Sequence, residues 1–250
     1  MRPGTSKSAW IKLRPWQSPH TSRRLISTDV SRLSTVHQGT AFEERSLNLL
    51  HKTMSMSLKR VGGREDGGID LLGWWWLPPT NDSLLNHDDI PTSPSKRRRI
   101  RVIGQCKAEK KKLGPKYVRE LEGVLYRFLT NSLDIPESEF TTQLPMVALL
   151  MSESEFTKSA ILRANSSPIP FFLLHLPAAN KSDDTTIDAD EGNLGMALCN
   201  PALCGSDGLL KGNMELRWER SGLWGDGRGR PAVWWGNQKL NSWTPDLATG

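Results

Sequence analysis

The spacing of apolar positions changes several times along the chain, and each change marks an element. Within residues 39–58, Phe42, Leu47, Leu50 and Met54 recur at helical spacing and predict a first helix with one apolar face. Thr40, followed three residues later by Glu43, has the spacing of a capping box and puts the helix start at Thr40. Leu58 to Val61 begin a first strand. Gly62, Gly63, Gly67 and Gly68 then supply a tight connection in which positive φ costs little. Residues 69–77, IDLLGWWWL, read as a second strand, and because side chains alternate faces, at least one of Trp74, Trp75 and Trp76 points away from the sheet interior. The polar stretch 78–99, with Pro78, Pro79, Asp88, Asp89, Pro91 and Pro94, reads as an insertion between strands, and residues 100–108 form a third strand.

Pro115 suits the first turn of a helix that runs from Lys116 to about Thr130, with Val118, Leu121, Leu125 and Leu129 on its inner face. Residues 145–151, PMVALLM, and 169–176, IPFFLLHL, are nearly unbroken apolar runs, the pattern of buried parallel strands. A helix over 155–165 joins them and implies a right-handed crossover. Residues 178–193 are small and acidic and read as a linker. Beyond it, Met214 to Glu219 and Ala232 to Leu240 predict a hairpin with Gly225, Gly227 and Gly229 in its turn. Trp218, Trp224, Trp234, Trp235 and Trp243 crowd this tail. Rings at that density build a small core or cap a larger one; the other reading is a stacking platform for single-stranded nucleic acid. The order is helix, three strands, helix, strand, which is an α/β arrangement.

The phase of the strands brings chemistry together. Gln105 and Lys107 are two residues apart and share a face with Ile103, while Val102 and Cys106 turn to the other side. Asp70 sits among the apolar residues of the second strand. If the two strands pair, a carboxylate, an amide oxygen and an ammonium converge, a set suited to a magnesium ion and an activated water. Each residue also has a plainer reading: Asp70 as a turn cap, Lys107 as an exposed cation, Glu43 as a first-turn acid favouring the helix dipole. Lys96 to Arg99 lead into the third strand, and Lys110, Lys111, Lys112 and Lys116 follow it; both clusters read either as solvated charge or as contacts to phosphate. His175 lies in an apolar strand and reads as a packed residue.

These residues resemble the motif of the PD-(D/E)xK nuclease superfamily, in the Gln-x-Lys variant of Mrr-type restriction endonucleases. Gly62, Gly63, Asp66, Gly68, Ile69, Asp70 and Leu71 are the counterparts of its glycine-rich turn, and Gln105, Cys106 and Lys107 of its strand. GPKYVRELEG, residues 114–123, resembles the Mrr helix start, and SEFTKSAILRA, residues 154–164, resembles the Phe-Thr pair that opens a helix running on to alanine. Phe42-Glu43 matches a Phe-Glu pair whose glutamate lies near the metal in Mrr-like enzymes, with Glu44 as the alternative. With its tryptophan-rich tail, the whole chain looks similar to the fungal mitochondrial family called "required for respiratory growth".

The resemblance implies a restriction-endonuclease-like αβββαβ core over residues 37–177, with a mixed central sheet flanked by helices, and a Trp-rich β-hairpin extension over 194–250. It implies magnesium-dependent hydrolysis of nucleic-acid phosphodiesters, with DNA ahead of RNA as substrate. Asp70, Gln105 and Glu43 would be the metal ligands, Lys107 would act on the attacking water, and Arg98, Arg99, Lys110, Lys111, Lys112 and Lys116 would meet phosphates. Two alternatives stand beside it: a protein of this fold that binds nucleic acid without cutting, and an assembly factor that uses the tail.

Composition narrows this further. The chain has 250 residues, enough for one large domain with extensions. Its net charge of +6 resembles that of a nucleic-acid binder, but residues 1–36 hold seven basic residues against the lone acid Asp29 and account for all of it. That segment is rich in Arg, Ser and Thr and has the composition of a mitochondrial transit peptide, which points to the matrix. Local clusters, not the global charge, must therefore carry any phosphate argument. Cys106, Cys199 and Cys204 do not make a disulfide framework, and no apolar run approaches a membrane span. Oligomeric state is left open, a homodimer included.

Overall fold

The computed structural model describes residues 35–61, 67–79, 97–131, 145–178, 194–220 and 229–245. Nearly all of the basic segment read as a targeting peptide, the turn residues Gly62, Gly63 and Asp66, most of the inserted loop, and all but Ala178 of the acidic linker lie outside these residues, as do Trp224, Gly225 and Gly227.

Helix α1 spans Thr35–Met54 and buries Phe42, Leu49, Leu50 and Met54 together with Ser46. It begins five residues before Thr40, so Thr40 and Glu43 lie inside it, and the expectation of a capping box there is wrong. A glycine inside a helix costs about 1 kcal/mol, and the helix continues through Gly39 because its apolar face is packed on the sheet. Leu47, expected to be buried, is only partly covered.

Ser55 reverses the chain with a φ of 57°, and strand β1 (Met56–Arg60) follows. Strand β2 (Leu71–Leu77) pairs antiparallel with β1, with Gly73 opposite Leu58. A Cβ on Gly73 would stand 2.2 Å from the Ser57 carbonyl oxygen, so the approach of the two backbones requires glycine. Strand β3 (Arg98–Lys107) pairs antiparallel with β2. Helix α2 (Pro115–Asn131) opens on Pro115 and buries Val118, Leu121 and Leu125. Strand β4 (Met146–Ser152) runs parallel to β3. Helix α3 (Lys158–Asn165) is capped by Thr157, whose hydroxyl accepts the Ala160 N–H at 3.2 Å. Strand β5 (Phe171–His175) runs parallel to β4.

Strand β6 (Met196–Cys199) then pairs antiparallel with β5 and completes a mixed six-stranded sheet in the order β1 to β6. Helix α1 lies on one face, and α2 and α3 on the other, each over its own apolar cluster. The parallel centre is buried on both faces, as strands covered by helices must be. Trp75 is fully buried on the α1 side and stacks on Phe172, with 5.4 Å between ring centroids. No helix among the described residues is long and apolar enough to cross a membrane.

After the short helix α4 (Pro201–Cys204), strands β7 (Met214–Arg220), β8 (Gly229–Trp235) and β9 (Gln238–Lys239) form a separate antiparallel sheet. Gly229 belongs to β8, and the chain turns into β9 at Gly236 and Asn237, both with positive φ. Met214, Val233 and Leu240 join the same cluster as Leu49 and Met54. The segment after the linker thus adds both a strand and core residues to the fold.

Its anchor is Asn200, fully buried. The Asn200 amide donates to the carbonyls of Ala164, Ser167 and Ile169, and its oxygen accepts the N–H groups of Phe171 and Leu203. Removing one side chain would take a partner from five backbone groups; Leu203 N–H keeps the Asn200 carbonyl and the Ala164 carbonyl keeps the Ser167 N–H, and each of the others costs about 1–3 kcal/mol if it stays dry. Asn200→Ala should lower the unfolding free energy in urea by roughly 3 kcal/mol; a loss below about 1 kcal/mol, the size of an ordinary exposed cap, would show that this hub is dispensable.

Candidate active site

Asp70 enters the sheet at the head of β2 and is tied to β3 twice. Its N–H donates to the Gly104 carbonyl at 2.9 Å, and its Oδ2 accepts the Cys106 N–H at 2.7 Å. These two bonds bracket Gln105. The preceding turn residues Gly67 and Gly68 have φ of 64° and 87°, which glycine adopts without penalty, and Ile69 plugs the α2-side core.

Gln105 is buried, with 4% of its surface exposed. Its Nε2 donates to the Gly68 carbonyl at 3.1 Å, which fixes the amide orientation, since the reversed amide would set two acceptors against each other. The Gln105 Oε1 is buried and has no hydrogen-bond partner among the described residues. Lys107 shares the α2-facing side of β3, with Nζ 5.7 Å from the centroid of the Tyr117 ring. The Tyr117 hydroxyl donates to the Glu109 carboxylate, and Lys116 Nζ lies 4.5 Å from the same ring. Burial, with Glu109 accepting from the hydroxyl, holds the Tyr117 phenol above its ordinary range and keeps it protonated.

Val102 and Cys106 turn to the α1 side, as the alternation requires. Burial pushes the Cys106 thiol far above its ordinary value, the charges of Asp70 and Glu43 push it further, and Ser46 and Lys107 oppose the shift. A buried thiol held protonated in this way suits packing rather than nucleophilic attack. Glu43 comes from the α1 side, where its Oε2 accepts from Arg60 Nε at 2.7 Å. It is not a first-turn acid, because the helix starts eight residues earlier, and its dipole reading falls with the capping box. Glu44 is exposed and 3.7 Å from the same guanidinium.

The expected phosphate cations divide. Arg98 is half-buried, donates to the Leu209 carbonyl at 3.3 Å, and has its pKa lowered by burial, so it serves the fold. Lys112 is paired with Glu155 at 2.6 Å. Arg99, Lys110, Lys111 and Lys116 are exposed. His175, at the end of β5, has its pKa lowered chiefly by burial.

An open cleft of about 410 Å³ lies before Gln105, walled by Gly67 and Gly68 and by Glu120, Gly123, Val124 and Arg127 of α2. Arg127 donates to the Gly67 carbonyl at 3.5 Å. Sequence reasoning missed Tyr117, Glu120 and Arg127. The signal was there in their spacing: positions 120, 123, 124 and 127 form one stripe of the helix that follows the motif strand. Among the described residues no three His, Cys, Asp or Glu side chains cluster as a metal site.

A family described as Required for respiratory growth protein 7 matches residues 34–203. A fission-yeast protein from Schizosaccharomyces pombe, named Uncharacterized protein C824.03c, mitochondrial, is 39% identical over 102 residues, 41% of this chain and 35% of that one. The chain thus spans about a third of that relative's length. Required for respiratory growth protein 7, mitochondrial, from Saccharomyces cerevisiae is 27% identical over 180 residues, 62% of this chain and 71% of that one. The protein of that name from Candida glabrata is 26% identical over 217 residues, covering 76% and 81%. No solved structure matches the chain. With well over half of its length inside the match, and with the whole six-stranded sheet falling within it, the chain belongs to the Required for respiratory growth protein 7 family.

Proposed function

We propose that this protein is a mitochondrial, metal-dependent hydrolase of nucleic-acid phosphodiesters, built on a restriction-endonuclease-like αβββαβ core and acting in the matrix on DNA ahead of RNA. The observation that carries the reading is the Gln105 Oε1: a buried carbonyl oxygen, oriented by its own amide and without a partner among the described residues, close in the chain pairing to a carboxylate that the backbone holds in place. A buried unpaired acceptor costs about 1–3 kcal/mol, and a cation would satisfy it. The donor set, one carboxylate and one amide oxygen, is hard and suits magnesium. Asp70 and Gln105 would hold the ion, and a bound magnesium would supply Lewis acidity toward phosphate and a water of lowered pKa. Glu43, whose Oε2 accepts from Arg60, contributes negative field from the α1 side.

The remaining work falls to the chain's own side chains. Lys107 orients the attacking water and offers N–H donors to the phosphate oxygen where charge develops. The Tyr117 ring beside it keeps the ammonium on the cleft side of β3. Glycines 67 and 68 form a wall of the cleft that carries no side chain of its own. A second reading, nucleic-acid binding without cleavage, is favoured by one observation: among the described residues a second acid does not join Asp70 in a three-ligand cluster.

Purified protein incubated with duplex DNA, single-stranded DNA and RNA, with magnesium, manganese or chelator, should cleave only with metal. Asp70→Asn and Lys107→Ala should each lower the rate by roughly a hundredfold or more with the melting temperature little changed; cleavage by both variants at the parent rate would dispose of the hydrolase. Gln105→Glu adds a carboxylate to the site and should tighten manganese binding about tenfold by calorimetry, even at some loss of stability from the missing bond to Gly68. Unchanged or weaker affinity would remove Gln105 from the ligand set.

A further inference from the structure

The sheet face that carries Gln105 and Lys107 continues away from the cleft as a row of flat aromatic and cationic groups. Arg101 and Arg99 lie on the same side of β3 as Gln105, two residues apart from each other and separated from Gln105 by the buried Ile103. In register with them on β2 stand Trp74, opposite Arg101, and Trp76, opposite Arg99. Both guanidiniums lie over the Trp74 indole, Arg99 at 4.6 Å and Arg101 at 4.9 Å from the ring centroid. Among the described residues neither arginine has a carboxylate partner. Trp76 donates its indole N–H to Ser57 Oγ at 2.7 Å and meets the Trp243 ring edge-on at 6.1 Å. The tail carries Trp243 there, since its N–H donates to Ser55 Oγ at 3.0 Å. Lys59 of β1 is exposed on the same face.

Packing alone does not call for this arrangement. A tryptophan recruited for the core sits as Trp75 does, buried against Phe172. Here indoles and guanidiniums face each other at a half-exposed surface, and among the described residues no carboxylate pairs with either guanidinium. Unpaired bases stack on aromatic rings and on guanidinium planes alike, while the cations take phosphates. A duplex keeps its bases paired and offers only its backbone to such a row.

We propose that this Arg–Trp face, centred on Trp74, Arg99 and Arg101, binds a single-stranded segment of nucleic acid leading to the cleft at Gln105. The inference rests on the nucleic-acid substrate proposed above but not on its cleavage. The test is fluorescence anisotropy of the full chain with a short labelled oligonucleotide, as DNA and as RNA, free and annealed to its complement, in chelator so that nothing is cut. The Arg99→Ala/Arg101→Ala variant should bind the single strand about tenfold more weakly and lower the slope of log affinity against log salt by about 1.4, the loss of two single-strand phosphate contacts. Trp74→Ala should weaken single-strand binding about tenfold with the salt slope unchanged, and Trp74→Phe should restore most of it. Duplex binding should stay at the parent value in Trp74→Ala and fall less than single-strand binding in Arg99→Ala/Arg101→Ala. Equal losses on single strand and duplex, or no loss on either, would overturn the proposal. If Trp74→Ala does not fold, Arg99→Ala at its exposed position decides between the same outcomes. Asp70→Asn should retain single-strand binding, so loss of cleavage and loss of this surface are separate results.

Discussion

The double tie between Asp70 and β3 holds the proposed site in being. One bond is an ordinary strand contact, the Asp70 N–H to Gly104; the other replaces a backbone acceptor with the carboxylate itself, which takes the Cys106 N–H. Together they lock Gln105 between two fixed points and set the register of β2 against β3. A slip of one residue would carry Gln105 and Lys107 to the α1 side and Cys106 to the cleft. Burial guards against that slip. Leu71, Trp75 and Leu77 must face α1, and Ile103 must face α2, for either core to close. The hydrophobic pattern and the polar tie therefore specify the same register from independent causes.

The two faces of the sheet divide the labour. The α1 side is structural, with Trp75 stacked on Phe172 and the tail strands sealing its rim. The α2 side carries what chemistry there is, with Gln105 and Lys107 on the strand and Tyr117, Glu120 and Arg127 on the helix. Ser55 joins the halves. Its hydroxyl accepts from Arg97 and from the Trp243 N–H, and its own N–H donates to Ser242. A left-handed serine, at φ 57°, is thus held by the C-terminal segment, which in turn brings an aromatic ring to the α2-side face.

What could be read in advance was what depends on local period. Alternation on β3 put Gln105 and Lys107 on one face and Cys106 on the other, and the apolar runs of β4 and β5 read as buried parallel strands. The start of α1 was misread because Thr40 and Glu43 offered a local cap, while the helix follows the longer burial of its face on the sheet. Strand β6 was missed because MALC is four residues with no period of its own, and only β5 makes it a strand. Asn200 looks like any loop amide until the chain folds five backbone groups around it. The partners of Glu43, Arg98 and Lys112 are likewise distant in sequence or set by packing, and no spacing announces them.

The proposed chemistry depends on Asp70 and Gln105 sharing a cation. The most direct measurement is anomalous diffraction from crystals of the protein soaked in manganese. A shared ion gives a peak at roughly 2.0–2.3 Å from an Asp70 carboxylate oxygen and from Gln105 Oε1, with Gln105 still donating to Gly68. Manganese bound only elsewhere, or a Gln105 oxygen turned away to pair with a protein group, would contradict it.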